Sequence, residues 1–374
     1  QVVLAQEAGV LVHHLMAQRC ESPRVLWRFL QAGVLAGSCY VSWLGVVHLD
    51  ENRISMDHGV VKSSVVGAGS NASASVADGG DAAPKAAPCV FLPLPPAEQT
   101  WAHAVSSWKE LRAALEDPRV TAIEGDIRMG RLLSSGGAGE DVPIMAHPPA
   151  RVSDLSFDAF LMACARQGGK HLKLDFKELE AVAKCLPAVR SLAETLRGNG
   201  QAVLLNADVV NGPGRRYGDV PVPAGSFLDV VARLAPGAPL SLGWRVRPGA
   251  RDSYTEDDAR RMRGVYESYA ARVGCAAGVV FSVALRLTPQ STGALSTLVS
   301  ALPSSQLLVW TGAGEPPPPR NTLLRTKTLF QEAGVAGRVG YDCRVAEGLV
   351  SGRVNDILVY LFSAVTAALD ALRD

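Results

Sequence analysis

From about residue 98 onward, short apolar segments alternate with longer amphipathic ones, which predicts repeated strand–helix units. Eight segments have the length and apolar content of buried strands: 98–104, 121–127, 171–176, 202–207, 239–244, 278–284, 306–311 and 337–341. Helical patterns lie between and after them and include 107–116, 178–197, 226–235, 256–273, 292–301, 322–333 and 350–372. Eight such units in roughly 275 residues predict an α/β fold, a (β/α)8 TIM-type barrel.

A basic stretch precedes an uncharged one near the start of the chain. Arg19, Arg24 and Arg28 come before residues 29–47, which contain no charged side chain. This order is typical of a signal anchor or signal peptide, with an organellar transit peptide or a packed helix as alternatives. We therefore expect membrane association through residues 29–47 and a membrane-anchored or secretory, lumenal location.

The segment that follows has a low-complexity composition. Residues 62–97 are dominated by Ser, Ala, Gly, Asp and Pro, which predicts a flexible spacer. The chain thus divides into three predicted regions: a targeting or signal-anchor segment (1–50), a low-complexity linker (51–97) and a barrel domain (98–374).

The overall charge is close to neutral, with a formal net charge of +1. This balance argues against an extended nucleic-acid footprint, which would require a strongly basic face. The seven cysteines form no C-x-x-C pair, which argues against a structural zinc site.

Charged side chains line one face of two predicted strands. Because side chains alternate across a strand, Glu124 and Asp126 share a face, as do Lys173, Asp175 and Lys177. Charges on a buried strand are costly unless they are paired or bind a metal. Three carboxylates suit a single Mg²⁺ or Ca²⁺, and the lysines suit a phosphate-bearing substrate. The alternative is a set of ion pairs at the barrel rim.

Two histidines are placed to join this site. His103 ends the first predicted strand, and His147 ends a short apolar segment between the second and third. In a barrel the active site lies at the carboxyl ends of the strands, so the two could form an acid–base pair. Lys177 would then hold a phosphate oxygen. A structural role is the alternative for each histidine.

Other strand ends carry polar or aromatic residues that could contact a substrate. Asn206 and Asp208 either extend the polar floor of the site or hydrogen-bond a turn. Trp244 and Trp310 either line a substrate pocket or pack the top of the barrel. Asp342 is predicted to cap the last helix.

Several short motifs together resemble the menorin family. They are His103-Ala, Glu124-Gly-Asp126, Pro143-Ile-Met-Ala-His147-Pro-Pro, Ser153-Asp154, Lys173-Leu-Asp175-Phe-Lys177, Asn206-Ala-Asp208, Gly212-Pro213, Leu240-Ser-Leu-Gly-Trp244, Val309-Trp310 and Tyr341-Asp342. The family is more remotely similar to the phosphatidylinositol-phospholipase-C-like phosphodiesterases, which include glycerophosphodiester phosphodiesterases and sphingomyelinase D. This resemblance implies the same assignments: His103 and His147 as acid and base, one divalent cation on the three carboxylates, and Lys177 on a phosphate.

The sequence departs from those enzymes at both histidine motifs, among other positions. His103 is followed by Ala104, where glycerophosphodiester enzymes carry Arg, and His147 is followed by Pro148 instead of Asp. These departures argue against a glycerophosphodiester substrate more than against the metal site. From the site residues and the resemblance we expect a metal-dependent phosphodiesterase-like hydrolase whose substrate is a lipid headgroup diester, a glycerophosphodiester or an RNA end. The alternative is a non-catalytic lumenal or cell-surface interaction module of the menorin type.

Overall fold

The computed structural model describes residues 90–135, 139–215, 217–247, 252–274, 276–312 and 316–346. The strands in these ranges are β1 (Trp101–Ala102), β2 (Ala122–Leu132), β3 (Val142–Met145), β4 (Val152–Ser153), β5 (His171–Phe176), β6 (Val203–Asn211), β7 (Leu240–Arg245), β8 (Val279–Ala284), β9 (Ser305–Trp310) and β10 (Val339–Asp342). Eight of them pair in parallel in the order β1-β2-β5-β6-β7-β8-β9-β10 and form a nearly closed barrel. The predicted fold class and all eight predicted strands are confirmed.

The α-helices of the described ranges alternate with these strands. They are α1 (Trp108–Glu116), α2 (Phe157–Gln167), α3 (Leu179–Ser191), α4 (Ala193–Gly198), α5 (Ala224–Leu234), α6 (Glu256–Val273), α7 (Thr292–Ala301) and α8 (Arg320–Glu332). The helix predicted over 178–197 is two helices, separated at Leu192. The predicted helix 350–372 lies outside the described residues.

The strands separate apolar from polar side chains as their alternation predicts. Ile123 and Ile127 of β2 and Leu172, Leu174 and Phe176 of β5 are fully or almost fully buried in the main hydrophobic core. Burying such side chains stabilises the fold by about 1.5–3 kcal/mol each. The residues between them on the same strands belong to the opposite, inner face, so the apolar packing fixes where the charged groups point.

Strand β2 extends beyond the barrel and forms an antiparallel hairpin with β3. Its distal half pairs with β3 in antiparallel register, from Ile127 opposite Met145 to Gly130 opposite Val142. The Ala146 amide then donates to the Asp126 carbonyl at 2.9 Å. This hairpin places the next residue, His147, beside the carboxyl end of β2.

An N-terminal arm closes the opposite end of the barrel. Leu94 packs against a small cluster formed by Leu204, Val280 and Leu308. At Gly340 an added Cβ would lie only 2.1 Å from the Ala97 carbonyl oxygen, so the arm fits directly against β10. Residues 90–97, which the sequence analysis placed in the linker, thus pack against the barrel.

The predicted targeting segment, with residues 29–47, lies outside the described ranges. Among the helices that the structure does describe, none combines the length and the apolar character needed to cross a membrane.

Candidate active site

Two adjacent strands bring the three predicted metal ligands together. In the parallel pairing of β2 with β5, Glu124 lies opposite Lys173 and Asp126 opposite Asp175. The carboxylates are 1%, 4% and 9% exposed for Glu124, Asp126 and Asp175. One oxygen from each lies within 4.8 Å of the others. This is the spacing of groups that could share one ion.

Protein donors hold one oxygen of each carboxylate. The Ala104 amide donates to Oε2 of Glu124 at 2.7 Å. Nζ of Lys177 lies 2.7 Å from Oδ1 of Asp126 and 2.8 Å from Oδ2 of Asp175. These donors therefore fix the orientation of all three carboxylates.

The remaining oxygen of Asp175 fits a hard divalent cation. Oδ1 of Asp175 is buried and has no hydrogen-bond partner among the residues that the structure describes. A buried acceptor without a partner is costly, and oxygen ligands of this kind suit Mg²⁺ or Ca²⁺. Lys173, whose Nζ is 3.8 Å from Oε1 of Glu124 and 3.6 Å from Oδ2 of Asp175, offsets part of the negative charge.

Burial and the neighbouring charges have opposite effects on the pKa values of the charged groups in the site. Burial raises the pKa of Glu124 to about 7, against the opposing effect of Lys173. Burial alone would also raise the pKa of Asp175, but the charges of Lys177 and Lys173 lower it well below its ordinary value. Burial would lower the pKa of Lys177, but Asp126 and Asp175 raise it well above the usual range. Asp175 is therefore a carboxylate and Lys177 an ammonium at neutral pH.

His103 is held by an aspartate from the far end of the chain. Its Nδ1 lies 2.5 Å from Oδ2 of Asp342, which is 6% exposed, and 3.7 Å from Oε2 of Glu124. Burial alone would lower the pKa of His103, but the hydrogen bond to Asp342 and the charge of Glu124 raise it above its ordinary value. Asp342, predicted only as a helix cap, is thus a partner of the site that sequence reasoning missed.

His147 is held by the backbone and lies at the solvent-exposed side of the site. Its Nδ1 lies 2.6 Å from the Pro148 carbonyl oxygen, and its side chain is exposed. Because a carbonyl oxygen only accepts hydrogen bonds, this contact requires the proton on Nδ1. The neutral ring then offers Nε2 as a proton acceptor.

The predicted site residues surround one cavity of about 150 Å³. It is lined by His103, Glu124, Asp126, His147, Lys173, Asp175, Lys177, Asn206, Asp208, Ser282, Trp310 and Gly312. Trp244 is the predicted residue that the fold does not bring there: it is 1% exposed and packs against Tyr254 and Phe281. Its indole occupies the core, which is the packing alternative to a substrate contact.

A small polar network supports the floor of the cavity. Ser241 donates to Oδ1 of Asn206 at 2.6 Å, Ser282 approaches the same oxygen at 3.2 Å, and the two serine hydroxyls are 2.9 Å apart. All three residues are buried. Sequence reasoning missed both serines, although each occupies an inward position on its strand.

The fold and the site together define the class of protein. It is a nearly closed parallel barrel that carries a buried acidic triad, two histidines and a lysine at the carboxyl ends of its strands. Residues 97–339 match the family model of the menorin N-terminal domain, and the chain therefore belongs to the menorin family. The human Protein FAM151B is 30% identical over 222 residues, which is 59% of this chain and 74% of that protein.

Two solved structures also resemble the chain. A putative glycerophosphodiester phosphodiesterase from Galdieria sulphuraria is 12% identical, with a TM-score of 0.40, over 71% of this chain and 98% of that one. A glycerophosphodiester phosphodiesterase from Parabacteroides distasonis is 9% identical, with a TM-score of 0.36, over 73% of this chain and 99% of that one.

Proposed function

We propose that the protein is a divalent-metal-dependent phosphodiesterase-like hydrolase. The observation that carries the proposal is the convergence of three buried carboxylates, two histidines and Lys177 on one cavity. The substrate would be a phosphodiester, with a lipid headgroup, a glycerophosphodiester or an RNA end as candidates.

Glu124, Asp126 and Asp175 would hold one Mg²⁺ or Ca²⁺. When bound, such an ion neutralises phosphoryl oxygens as charge develops on them. Lys177 is fixed by two of these carboxylates and also lines the cavity. Its ammonium would bind a non-bridging phosphate oxygen and keep the phosphorus close to both histidines.

The two histidines differ in a way that assigns their roles. His147, with its proton on Nδ1, would accept the proton of the attacking hydroxyl at Nε2. His103, with a raised pKa and Nδ1 held by Asp342, would donate a proton from Nε2 to the departing alkoxide. One P–O bond forms and one breaks, and the proton lost by the nucleophile is matched by the proton gained by the leaving alcohol. General acid–base catalysis of this kind contributes about 10²- to 10⁴-fold per group.

Hydrolysis of a bis-aryl phosphodiester by the full chain tests the proposal. Turnover should require added Mg²⁺ or Ca²⁺, disappear with chelator, and fall below detection in Asp126→Asn. Asp229→Asn, an exposed carboxylate on α5 that pairs with Arg272, is the matched control and should retain activity. Turnover that persists in chelator would exclude the metal mechanism. Absence of turnover on every diester tested would favour the non-catalytic interaction module.

Membrane association through residues 29–47 remains part of the proposal. Flotation of the full chain with phosphatidylcholine vesicles, compared with a chain starting at residue 51, would test it. Equal recovery of both chains in the vesicle fraction would contradict it.

A further inference from the structure

Glu178 directly follows Lys177 and connects two parts of the rim of the site. It precedes the first turn of α3, yet its side chain does not cap that helix. Its carboxylate instead contacts strand β2 and the segment that follows β3. Nη2 of Arg128 donates to Oε1 at 2.7 Å, and the Met129 amide donates to Oε2 at 3.3 Å. Nη2 of Arg151 lies 3.4 Å from Oε1. These three contacts form the Glu178 bridge.

The bridge continues the pairing of β2 with β5 beyond the end of β5. The Lys177 amide donates to the Ile127 carbonyl at 2.9 Å, one residue past the last residue of β5. Met129 is two residues further along β2, so its amide faces the same side of the strand. There a side-chain oxygen of Glu178 takes the place of a backbone carbonyl. The hairpin is thereby tied to the chain at the point where Lys177 enters the site.

The bridge also spans the turn that carries His147. In the sequence this turn lies between Arg128 of β2 and Arg151, which is four residues after the histidine. The turn itself is compact, because the Ala150 amide donates to the His147 carbonyl at 3.0 Å. Glu178 contacts the chain on both sides of this turn, so its carboxylate fixes where the turn lies.

The burial of Arg128 indicates a role beyond stabilising the fold. Its side chain is buried, and within the described part of the chain its Nε and Nη1 have no hydrogen-bond partner. Buried donors without partners are costly, and well-packed apolar residues are often at least as stabilising as a buried ion pair. The arginine is therefore better explained by the geometry that its contact with Glu178 imposes.

Lys177 depends on the bridge less than His147 does. Nζ of Lys177 is held directly by two carboxylates of the acidic triad. The ring of His147 bonds to the carbonyl of the adjacent Pro148, which is a contact within its own turn. The position of this ring relative to Lys177 therefore follows the position of the hairpin.

We propose that Glu178 is a positioning residue: with Arg128 and Arg151 it fixes the hairpin so that the His147 ring stays within reach of a phosphate bound by Lys177. The inference rests on the proposed function, in which His147 accepts the proton of the nucleophile. A small displacement of a general base removes much of its contribution. Loss of the bridge should therefore slow the reaction without weakening substrate binding.

Hydrolysis of the bis-aryl phosphodiester by the full chain tests this role through separate values of kcat and KM. Glu178→Gln keeps the shape of the side chain but turns an amide NH₂ toward the donors. We expect kcat to fall by about 10- to 100-fold and KM to change by less than about twofold. Arg128→Met should have the same effect, and the double variant should lose no more than either single variant. Arg128→Lys, which can still contact Glu178, should recover much of the loss.

Hydrogen exchange measures the position of the hairpin without requiring turnover. The Ala146 amide donates to the Asp126 carbonyl at the base of the His147 turn, and it should exchange about tenfold faster in Glu178→Gln. The amides of β8 should keep their wild-type rates. Should Glu178→Gln fail to fold, Glu178→Asp, with a side chain shorter by one methylene, should show both changes to a smaller extent.

Thr255→Ala is the matched control for stability. It removes the capping box of α6 and leaves the Glu178 bridge intact. It should change neither kcat nor the exchange of the Ala146 amide.

The outcomes separate the two proposals. Faster exchange at Ala146 in Glu178→Gln, with no turnover of any diester by the wild type, would refute the hydrolase and support the bridge. Wild-type exchange at Ala146 in both Glu178→Gln and Arg128→Met would overturn this inference, as would a raised KM with unchanged kcat. An equal loss of kcat in Thr255→Ala would also overturn it, because the effect would then follow stability instead of the position of His147.

Discussion

Nδ1 of His103 and Oδ2 of Asp342 lie 2.5 Å apart although 239 positions separate them in the chain. His103 directly follows β1, and Asp342 is the last residue of β10. These strands are the two ends of the parallel strand order, so this contact links the barrel across its open seam. The acid of the proposed mechanism therefore depends on the seam being correctly assembled.

Asp342→Asn should shift the alkaline limb of the pH–rate profile to lower pH. Burial lowers the pKa of His103, and the hydrogen bond to Asp342 is the largest of the effects that raise it, ahead of the charge of Glu124, so its loss leaves the imidazole neutral at a lower pH. A neutral His103 cannot donate a proton. We expect kcat/KM to fall by roughly 10- to 100-fold near pH 7. Measuring kcat/KM from pH 5 to 10 checks this, and an unmoved alkaline limb would contradict it.

Ala104 should tolerate glycine but not valine. Its φ of 56° lies in the left-handed region, and this conformation aims its amide at Glu124. A β-branched residue is strained there, so Ala104→Val should cost about 1–3 kcal/mol of unfolding free energy and weaken cation binding. Ala104→Gly should change the unfolding free energy by less than about 1 kcal/mol. Urea unfolding and Mn²⁺ calorimetry measure both effects; equal losses in the two variants would show that the backbone conformation is not the cause.

Cys164 and Cys185 should resist alkylation in the native protein. Both thiols are buried, and burial raises the pKa of Cys164 to about 12 and that of Cys185 still further. At pH 8 Cys164 holds roughly a thousandfold less thiolate than an ordinary cysteine. Peptide mapping after iodoacetamide treatment should find these two positions labelled only when urea is added. Rapid native labelling of either would contradict the packing of α2 or α3.

Thr255→Ala should destabilise the fold without affecting the site. Thr255 accepts from the Asp258 amide and Asp258 accepts from the Thr255 amide, which forms a capping box at the start of α6. Loss of the box should cost about 1 kcal/mol, and Thr255→Ser should restore most of it. The unfolding free energy reports this change, while the affinity for Mn²⁺ should remain that of the wild type.

The positions of the carboxylates could be predicted because they depend on local alternation. Once 121–127 and 171–176 are recognised as strands, Glu124, Asp126 and Asp175 must face one side and their apolar neighbours the other. The parallel pairing then brings Asp126 opposite Asp175. No long-range information beyond the barrel itself is needed.

The partner of His103 could not be predicted in the same way. The contact with Asp342 depends on how the two ends of the sheet approach each other, and no periodic pattern encodes that distance. Trp244 is a similar case, because an aromatic residue at a strand end can turn to the core or to the mouth. In the structure the indole of Trp244 packs against the ring of Tyr254 in the core.

Helix α2 was missing from the predicted elements although its sequence contains the signal. Ser156 caps its first turn by accepting from the Ala159 amide, and Phe157, Phe160 and Cys164 repeat at helical spacing. Strand β2 was predicted to end at 127 and instead continues to Leu132, because its extension pairs with β3. Pairing with a neighbour, more than the composition of the segment, determines where that strand ends.

The arm at residues 90–97 bears on how the domain should be prepared in isolation. A polypeptide trimmed to begin at residue 98 would lack Leu94 and Ala97, and the floor of the barrel around Leu204, Val280 and Leu308 would be uncovered to water. Such a shortened product is expected to be less soluble than one that begins at residue 90, whatever the state of its catalytic groups.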